Sequence, residues 1–262
     1  MPQFPLPLDL PVPTSSFGDL LEAVGATPRW EVSAEAARNL SVPEGTTVLA
    51  VRYAGGVVIA GDRQATEGHL VAHRFIQKVF PTDRFSAVAV AGAAGIATEM
   101  VRLFQVELEH YEKLEGRRLS LDGKATYLAR LVRGQLPMAL QGLVVVPLFA
   151  GYDELDATGR LYSYDVVGGR YEEEDFASTG SGSRLAKSFM RTAFEPDMTP
   201  EAAMDLAVKA LVAAAQEDTA TGGPDLRRNI LPTIFRIDSG GITEVADEEI
   251  RPVAERALEV IR

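Results

Sequence analysis

The chain has 262 residues, 46% apolar and 24% charged, with a net charge of -11. That balance suits a globular protein of one large domain or two small ones, and it argues against sequence-independent nucleic-acid binding, which needs concentrated positive charge. There is no cysteine, which excludes disulfide frameworks, thiolate metal sites and cysteine nucleophiles.

Residues 1–44 stand apart from the rest of the chain. Pro2, Pro5, Pro7, Pro11 and Pro13 interrupt regular hydrogen bonding and favour an extended run. Behind them, SSFGDLLEAV and SAEAARNL predict two short helices with serine caps. The start has neither the positive flank nor the unbroken apolar core of a secretory signal. No segment approaches the roughly 20 apolar residues of a bilayer span. The cytoplasm is the expected compartment, with neither membrane nor nucleic acid as a partner.

From Thr46 the pattern changes to period two and apolar runs. TTVLAVRYA and VVIAGD predict a hairpin turning at Gly55-Gly56, because both positions tolerate positive φ. With Ala54 facing Val57, that register carries Thr46 opposite the segment from Asp62 to Ala65. FIQKVFPT and FSAVAVAG predict a second pair joined through Asp83.

Two long helices come next. Ile96, Met100, Leu103, Phe104, Leu108 and Tyr111 share one face, while Glu107, Glu109 and Lys113 take the wet side. The second helix begins near Ser120 and carries Leu128, Leu131, Val132 and Leu136, with Pro137 kinking or ending it. LVVVPLFAGYD and GRLYSYDV predict strands across a polar turn, and DFASTGSGSRLAKSFM a strand end, a glycine-rich bend and a helix start. Thr199-Pro200 opens a helix that packs through Ala203, Leu206, Ala207, Ala210, Leu211 and Ala214. TIFRID, GITEV and an amphipathic helix from about Asp247 close the chain. This order predicts an α+β fold of two stacked antiparallel sheets with helices on both outer faces and no internal repeat.

Side chains with evident chemistry are few. His69 and His73 stand four apart, a spacing that lets a helical turn aim two imidazoles at a metal. Leu70 stands where a zincin needs Glu, and no third ligand is evident, so two exposed loop histidines are expected. STGSGSRLAKS could offer backbone N–H groups to an anion, yet it lacks the P-loop lysine and the spacing of a nucleophile elbow; a structural bend is expected. The carboxylates of YEEED read as a solvated face. None of the three histidines has a triad setting. One base remains for hydrolytic chemistry, the α-amino group of a chain, with an ordinary pKa of about 8. A hydroxyl can use that base only when its residue comes first, which gives a threonine at the leader boundary a purpose.

EGTTVLAV, AGDRQAT, FIQKVF, VAGAAG, TGSGS and EDTATGGPD occur in order and at matching spacing, and on these motifs the chain from Thr46 onward resembles a proteasome β-subunit of the actinobacterial type. The resemblance implies the N-terminal-nucleophile hydrolase fold, a four-layer αββα sandwich. Residues 1–45 are then a propeptide removed by autocleavage between Gly45 and Thr46, and 46–262 the catalytic domain. It implies Thr46 as nucleophile and, through its amine, as base. Asp62 would hold Lys78, whose charge favours the deprotonated hydroxyl and amine, and the Gly92 N–H would stabilise the oxyanion. Ser181, Asp218 and Thr221 would complete the network around the amine, with threonine at 221 where the family often has serine.

The substrate pocket carried over by the resemblance consists of Ala65, Thr66, Ile76, Phe80, Val90, Ala94 and Thr98. Its mostly apolar lining predicts cleavage after large apolar residues. The implied partners are α-subunits in outer rings, further β copies in stacked heptameric rings, a hexameric ATPase, and unfolded tagged proteins as substrates; no metal or other cofactor is implied. The alternatives are a two-ring ATPase-associated threonine peptidase, another self-processing amidohydrolase, and a catalytically silent scaffold subunit. The long leader and the region from GLVVVPLFAGYD to YSYDVVGG favour the proteasome, and the presence of both Thr46 and Lys78 favours an enzyme.

Overall fold

The computed structural model describes residues 45–67 and 70–260. The expected leader helices and His69 lie outside the described residues. Twelve strands and six helices are described, in the order β1 (Thr47–Tyr53), β2 (Gly56–Gly61), β3 (Ala65–Glu67), β4 (Leu70–His73), β5 (Val79–Asp83), β6 (Ser86–Gly92), α1 (Ala94–Glu115), α2 (Leu121–Gly134), α3 (Leu136–Ala139), β7 (Val145–Asp153), β8 (Thr158–Tyr164), β9 (Arg170–Glu173), β10 (Phe176–Gly180), α4 (Ser183–Ala193), α5 (Pro200–Glu217), β11 (Thr233–Asp238), β12 (Gly241–Glu244) and α6 (Asp247–Val260).

Ten of the strands form two five-stranded antiparallel sheets, ordered β10-β1-β2-β11-β12 and β5-β6-β7-β8-β9, and β3-β4 pair as a separate hairpin. Side-chain alternation along each strand assigns its residues to one of three cores. On β1, Leu49 and Val51 join Val58 and Ala60 of β2 under α5 and α6, against Leu206, Leu211, Ile250 and Val253. Val48 and Ala50 point the other way, meeting Ala87, Ala89, Leu148 and Ala150 between the sheets. On the far side, Val88, Val90 and Phe149 pack under Met100, Phe104, Leu128 and Val132 of α1 and α2. Both faces of each sheet are thus covered, which is why the central strands read as apolar runs. The architecture is the expected four-layer αββα sandwich.

Helix ends follow local chemistry. The Ser120 hydroxyl accepts from Gly123 N at 3.1 Å and the Thr199 hydroxyl from Ala202 N at 3.2 Å, each satisfying a donor of the first turn. Pro137 lies in the first turn of the short α3, after the break at Gln135.

Two readings change, and two further segments take strand structure. The first hairpin turns at Ala54-Gly55, because Tyr53 pairs with Gly56. Gly55 supplies the positive φ of 85°, whereas a Cβ on Gly56 would lie 2.4 Å from both the Tyr53 hydroxyl and the Ile237 carbonyl oxygen. Gly56 is therefore needed for close packing inside the sheet, and the register shifts so that Asp62 N donates to Thr47 O at 3.1 Å. Secondly, LVAH is strand β4 rather than a loop, and His73 at its end is exposed as expected. Thirdly, YEEED is exposed or half-buried as expected, and part of it forms the edge strand β9, where Glu172 takes a paired contact from Arg160 at 2.7 and 2.8 Å and Glu173 accepts from the Ser163 hydroxyl at 2.7 Å. Finally, Glu107 is buried rather than wet. Its position puts it on the side of α1 that carries Phe104 and Leu108.

Candidate active site

Thr46 sits directly ahead of β1 and is buried. The Thr46 hydroxyl donates to the carbonyl oxygen of Gly45 at 2.7 Å. Gly45 holds φ at 104°, and a Cβ there would lie 2.3 Å from Thr66 Oγ1 and 2.8 Å from the Ala220 Cβ. Glycine is thus required on two counts, conformation and space.

Lys78 reaches this point from the irregular segment just before β5. Its ammonium donates to Asp62 Oδ1 at 2.7 Å, to the Gly45 carbonyl at 3.0 Å and to the Gln64 carbonyl. Three protons meet three acceptors. Burial draws the Lys78 pKa below the usual lysine range, while the charge and hydrogen bond of Asp62 and the charge of Asp218 oppose that shift.

Asp62 leaves β2 facing Thr47. Its Oδ1 accepts from Thr47 N at 2.8 Å as well as from Lys78, and its Oδ2 accepts from Gln64 N at 3.0 Å and Gly222 N at 2.9 Å. Four donors fill the acceptor positions of one carboxylate. Asp62 therefore has no open lone pair with which to take the Thr46 proton, and its chemistry is that of a fixed counter-ion.

A second cluster closes over the other side. Ser181 N donates to Thr46 O at 2.8 Å, and the Ser181 hydroxyl lies 2.6 Å from Asp218 Oδ2 and 3.2 Å from Thr46 O. Thr221 Oγ1 is 2.5 Å from Asp218 Oδ2 and 2.6 Å from Thr47 Oγ1, which accepts from Gly182 N at 2.9 Å. A carboxylate only accepts, so Thr221 gives its proton to Asp218 and receives that of Thr47. Thr221 thus reaches Thr47 and Asp218, and Thr46 is met by Ser181. Gly180, with φ of 102°, lets the strand pass the Thr46 carbonyl, since a Cβ there would fall 2.0 Å from that oxygen.

A cavity opens beside Thr46. Of the carried-over pocket residues, Ala65, Ile76, Phe80, Val90, Ala94 and Thr98 line it, together with Gly45, Lys78, Gly92, Gln77 and Ala97. Gly92 ends β6 on this wall. Thr66 is not among the lining residues; alternation along β3 turns Ala65 to the cavity and leaves Thr66 against Gly45.

Sequence reasoning brought Thr46, Asp62, Lys78, Ser181 and Asp218 to one place but missed Thr47, Gln64, Gly180, Gly182 and Gly222. The Thr46-Thr47 doublet and the glycines of TGSGS and TGG are visible in the sequence. What they touch is not. Among the described residues, no group of three or more His, Asp or Glu residues is arranged to hold a metal ion, and no helix is long and apolar enough to cross a membrane.

Comparison with known proteins gives a consistent result. Residues 42–225 match the family model described as proteasome subunit. The chain is 52% identical over 230 residues to the proteasome subunit beta of Acidimicrobium ferrooxidans, covering 88% of this chain and 84% of the relative. It is 53% identical over 221 residues to that of Acidothermus cellulolyticus, covering 83% and 76%, and 52% identical over 220 residues to that of Streptomyces griseus, covering 84% and 78%. Fold, motif order and identity along most of its length agree, and the chain belongs to the proteasome subunit family.

Proposed function

We propose that this chain is the threonine endopeptidase subunit of a proteasome core particle, made as a precursor and activated by cutting its own Gly45-Thr46 bond. The saturated Asp62 carboxylate carries this reading. With Asp62 filled and Lys78 held as its partner, the α-amine that cleavage creates at Thr46 supplies the proton acceptor for peptide hydrolysis.

In self-cleavage, Thr46 Oγ attacks the Gly45 carbonyl carbon and its proton passes to solvent. The carbonyl oxygen gathers negative charge beside the Lys78 ammonium, 3.0 Å away in the uncut chain. The C–N bond then breaks, the Thr46 nitrogen takes a proton, and the resulting ester is hydrolysed by water to a Gly45 carboxylate and a Thr46 amine. In peptide hydrolysis the Thr46 amine takes the proton of the same Oγ as it attacks the carbonyl of a substrate residue whose side chain fills the apolar cavity, with the Gly92 N–H as oxyanion donor. The amine passes that proton to the leaving nitrogen as the C–N bond breaks, and water then hydrolyses the ester to free the carboxylate and Thr46. Ser181 and Asp218 hold the amine once it is protonated.

The family supports assembly with other subunits. We assign as partners α-subunits, further β copies in stacked heptameric rings and a hexameric ATPase that feeds unfolded tagged proteins, with the cytoplasm as compartment. Intact mass of assembled particles tests the central claim. Loss of residues 1–45 from the wild type, their retention in Thr46→Ala, and peptide hydrolysis only in the former are expected. Hydrolysis at full rate by particles that keep the leader would overturn it. Six subunits per ring by electron microscopy would favour the two-ring ATPase-associated peptidase.

A further inference from the structure

Two irregular segments contribute to the site, residues 62–64 after β2 and residues 218–222 after α5. No sheet ladder joins the two segments to each other, so their relative position depends on cross-ties. One tie, Gly222 N to Asp62 Oδ2 at 2.9 Å, uses the carboxylate itself. The other is the carboxamide of Gln64, whose Nε2 donates to the Thr219 carbonyl at 2.9 Å. From this geometry we infer that Gln64 is a positioning residue, clamping the 218–222 loop to the Asp62-Lys78 pair and so aligning the loop's groups with Thr46.

Gln64 is suited to this by where its other groups go. Its N–H donates to Asp62 Oδ2 at 3.0 Å and its carbonyl accepts from Lys78, so one residue touches both members of the ion pair. Its Cβ packs on the loop, since a Cβ added to Gly222 would lie 2.6 Å from it. The loop in turn carries Asp218 and Thr221 of the hydroxyl network and places Ala220 against Gly45. A shift at Thr219 is therefore transmitted both to the leader side and to the Ser181-Asp218 side of Thr46. Gln64 meets no reacting atom. Its effect runs through others, and loss of alignment lowers kcat rather than substrate affinity.

This inference rests on the proposed peptidase reading, and the test separates the two. Assembled particles of wild type, Gln64→Met and Gln64→Arg are made from the full chain, and kcat and KM for a peptide with a large apolar residue are measured per exposed Thr46 terminus. Gln64→Met keeps the length but removes the donor; kcat is expected to fall about tenfold or more with KM changed less than about twofold, as a small misplacement of catalytic groups costs this much or more. Gln64→Arg restores a donor and is expected to recover most of kcat. Unchanged kcat per terminus in Gln64→Met, or a loss that Gln64→Arg fails to recover, refutes the clamp. If Gln64→Met does not assemble, Gln64→Glu, isosteric but acceptor-only against the Thr219 carbonyl, is measured in its place with the same expectation. No hydrolysis by the wild type would instead sink the peptidase reading.

Discussion

Replacing Lys78 by Met removes the cation from the buried pair while keeping a side chain of similar length. In the wild type its ammonium meets Asp62, the Gly45 carbonyl and the Gln64 carbonyl, and the two charged side chains are 4% and 0% exposed. Breaking a buried pair from one side costs about 3–5 kcal/mol, because it leaves a charge uncompensated. Three backbone N–H donors remain on Asp62, from Thr47, Gln64 and Gly222, so the lower end of that range applies. At roughly 2–4 °C per kcal/mol for a chain of this size, the expected fall in Tm is about 6–12 °C by differential scanning calorimetry. Self-cleavage loses the donor on the Gly45 oxygen and slows by about 100- to 1000-fold, a typical cost for one oxyanion donor. Intact mass over time reads that rate. Lys78→Arg keeps the charge, yet its planar fork does not match three acceptors arranged around one nitrogen, so it retains more stability than Lys78→Met without restoring self-cleavage. Normal processing in Lys78→Met, or full rescue by Arg, would refute the assignment of Lys78 as a geometrically fixed donor.

Gly45→Ala puts a Cβ against Thr66 Oγ1 and Ala220 at positive φ, so leader removal is expected to slow at least about tenfold on intact-mass analysis, strain of this kind costing of order 1–3 kcal/mol. A chain produced with Thr46 already exposed would hydrolyse peptides normally whether or not its discarded leader carried the change. Peptide hydrolysis should have a bell-shaped pH profile: it rises as the Thr46 amine loses its proton and falls as Lys78 loses its charge. Because burial lowers the Lys78 pKa, the alkaline midpoint is expected below the ordinary lysine value of about 10.4, and a rate still flat above that pH contradicts the role. Val90→Asp introduces a carboxylate into the apolar cavity wall, and hydrolysis after large apolar residues is expected to drop relative to hydrolysis after Arg. Equal rates of the wild type after Leu, Arg and Asp would remove the pocket argument.

Much of the site was legible because its parts lie in short segments whose residue types allow little else. A threonine doublet after glycine, an Asp at the end of a strand and a Lys at the start of a later apolar segment are visible in the linear text. The hairpin carrying Thr46 toward Asp62 was legible too, but its register was not. Gly55 and Gly56 have the same local freedom; Tyr53 and Ile237 crowd the second and force the turn back by one residue. Which of Ala65 and Thr66 turns its side chain to the cavity was not legible either, since only the course of β3 determines it. The LVAH and YEE segments became strands by pairing in hairpins with the strands just before them, β3 and β8, which their own residue types do not signal.

By itself, the sequence determined the long strands and helices, their order and the chemistry available: apolar alternation and helical period are local properties, and the absence of cysteine narrows the candidate nucleophiles. Tertiary structure decided which hydrogen bonds exist. Thr47 and Thr221 meet across 174 positions, Gly222 reaches Asp62 across 160, and Gln64 reaches Thr219 across 155. Bonds at such separations depend on how two sheets and their helices stack, because only that packing carries loops from distant parts of the chain to one buried point.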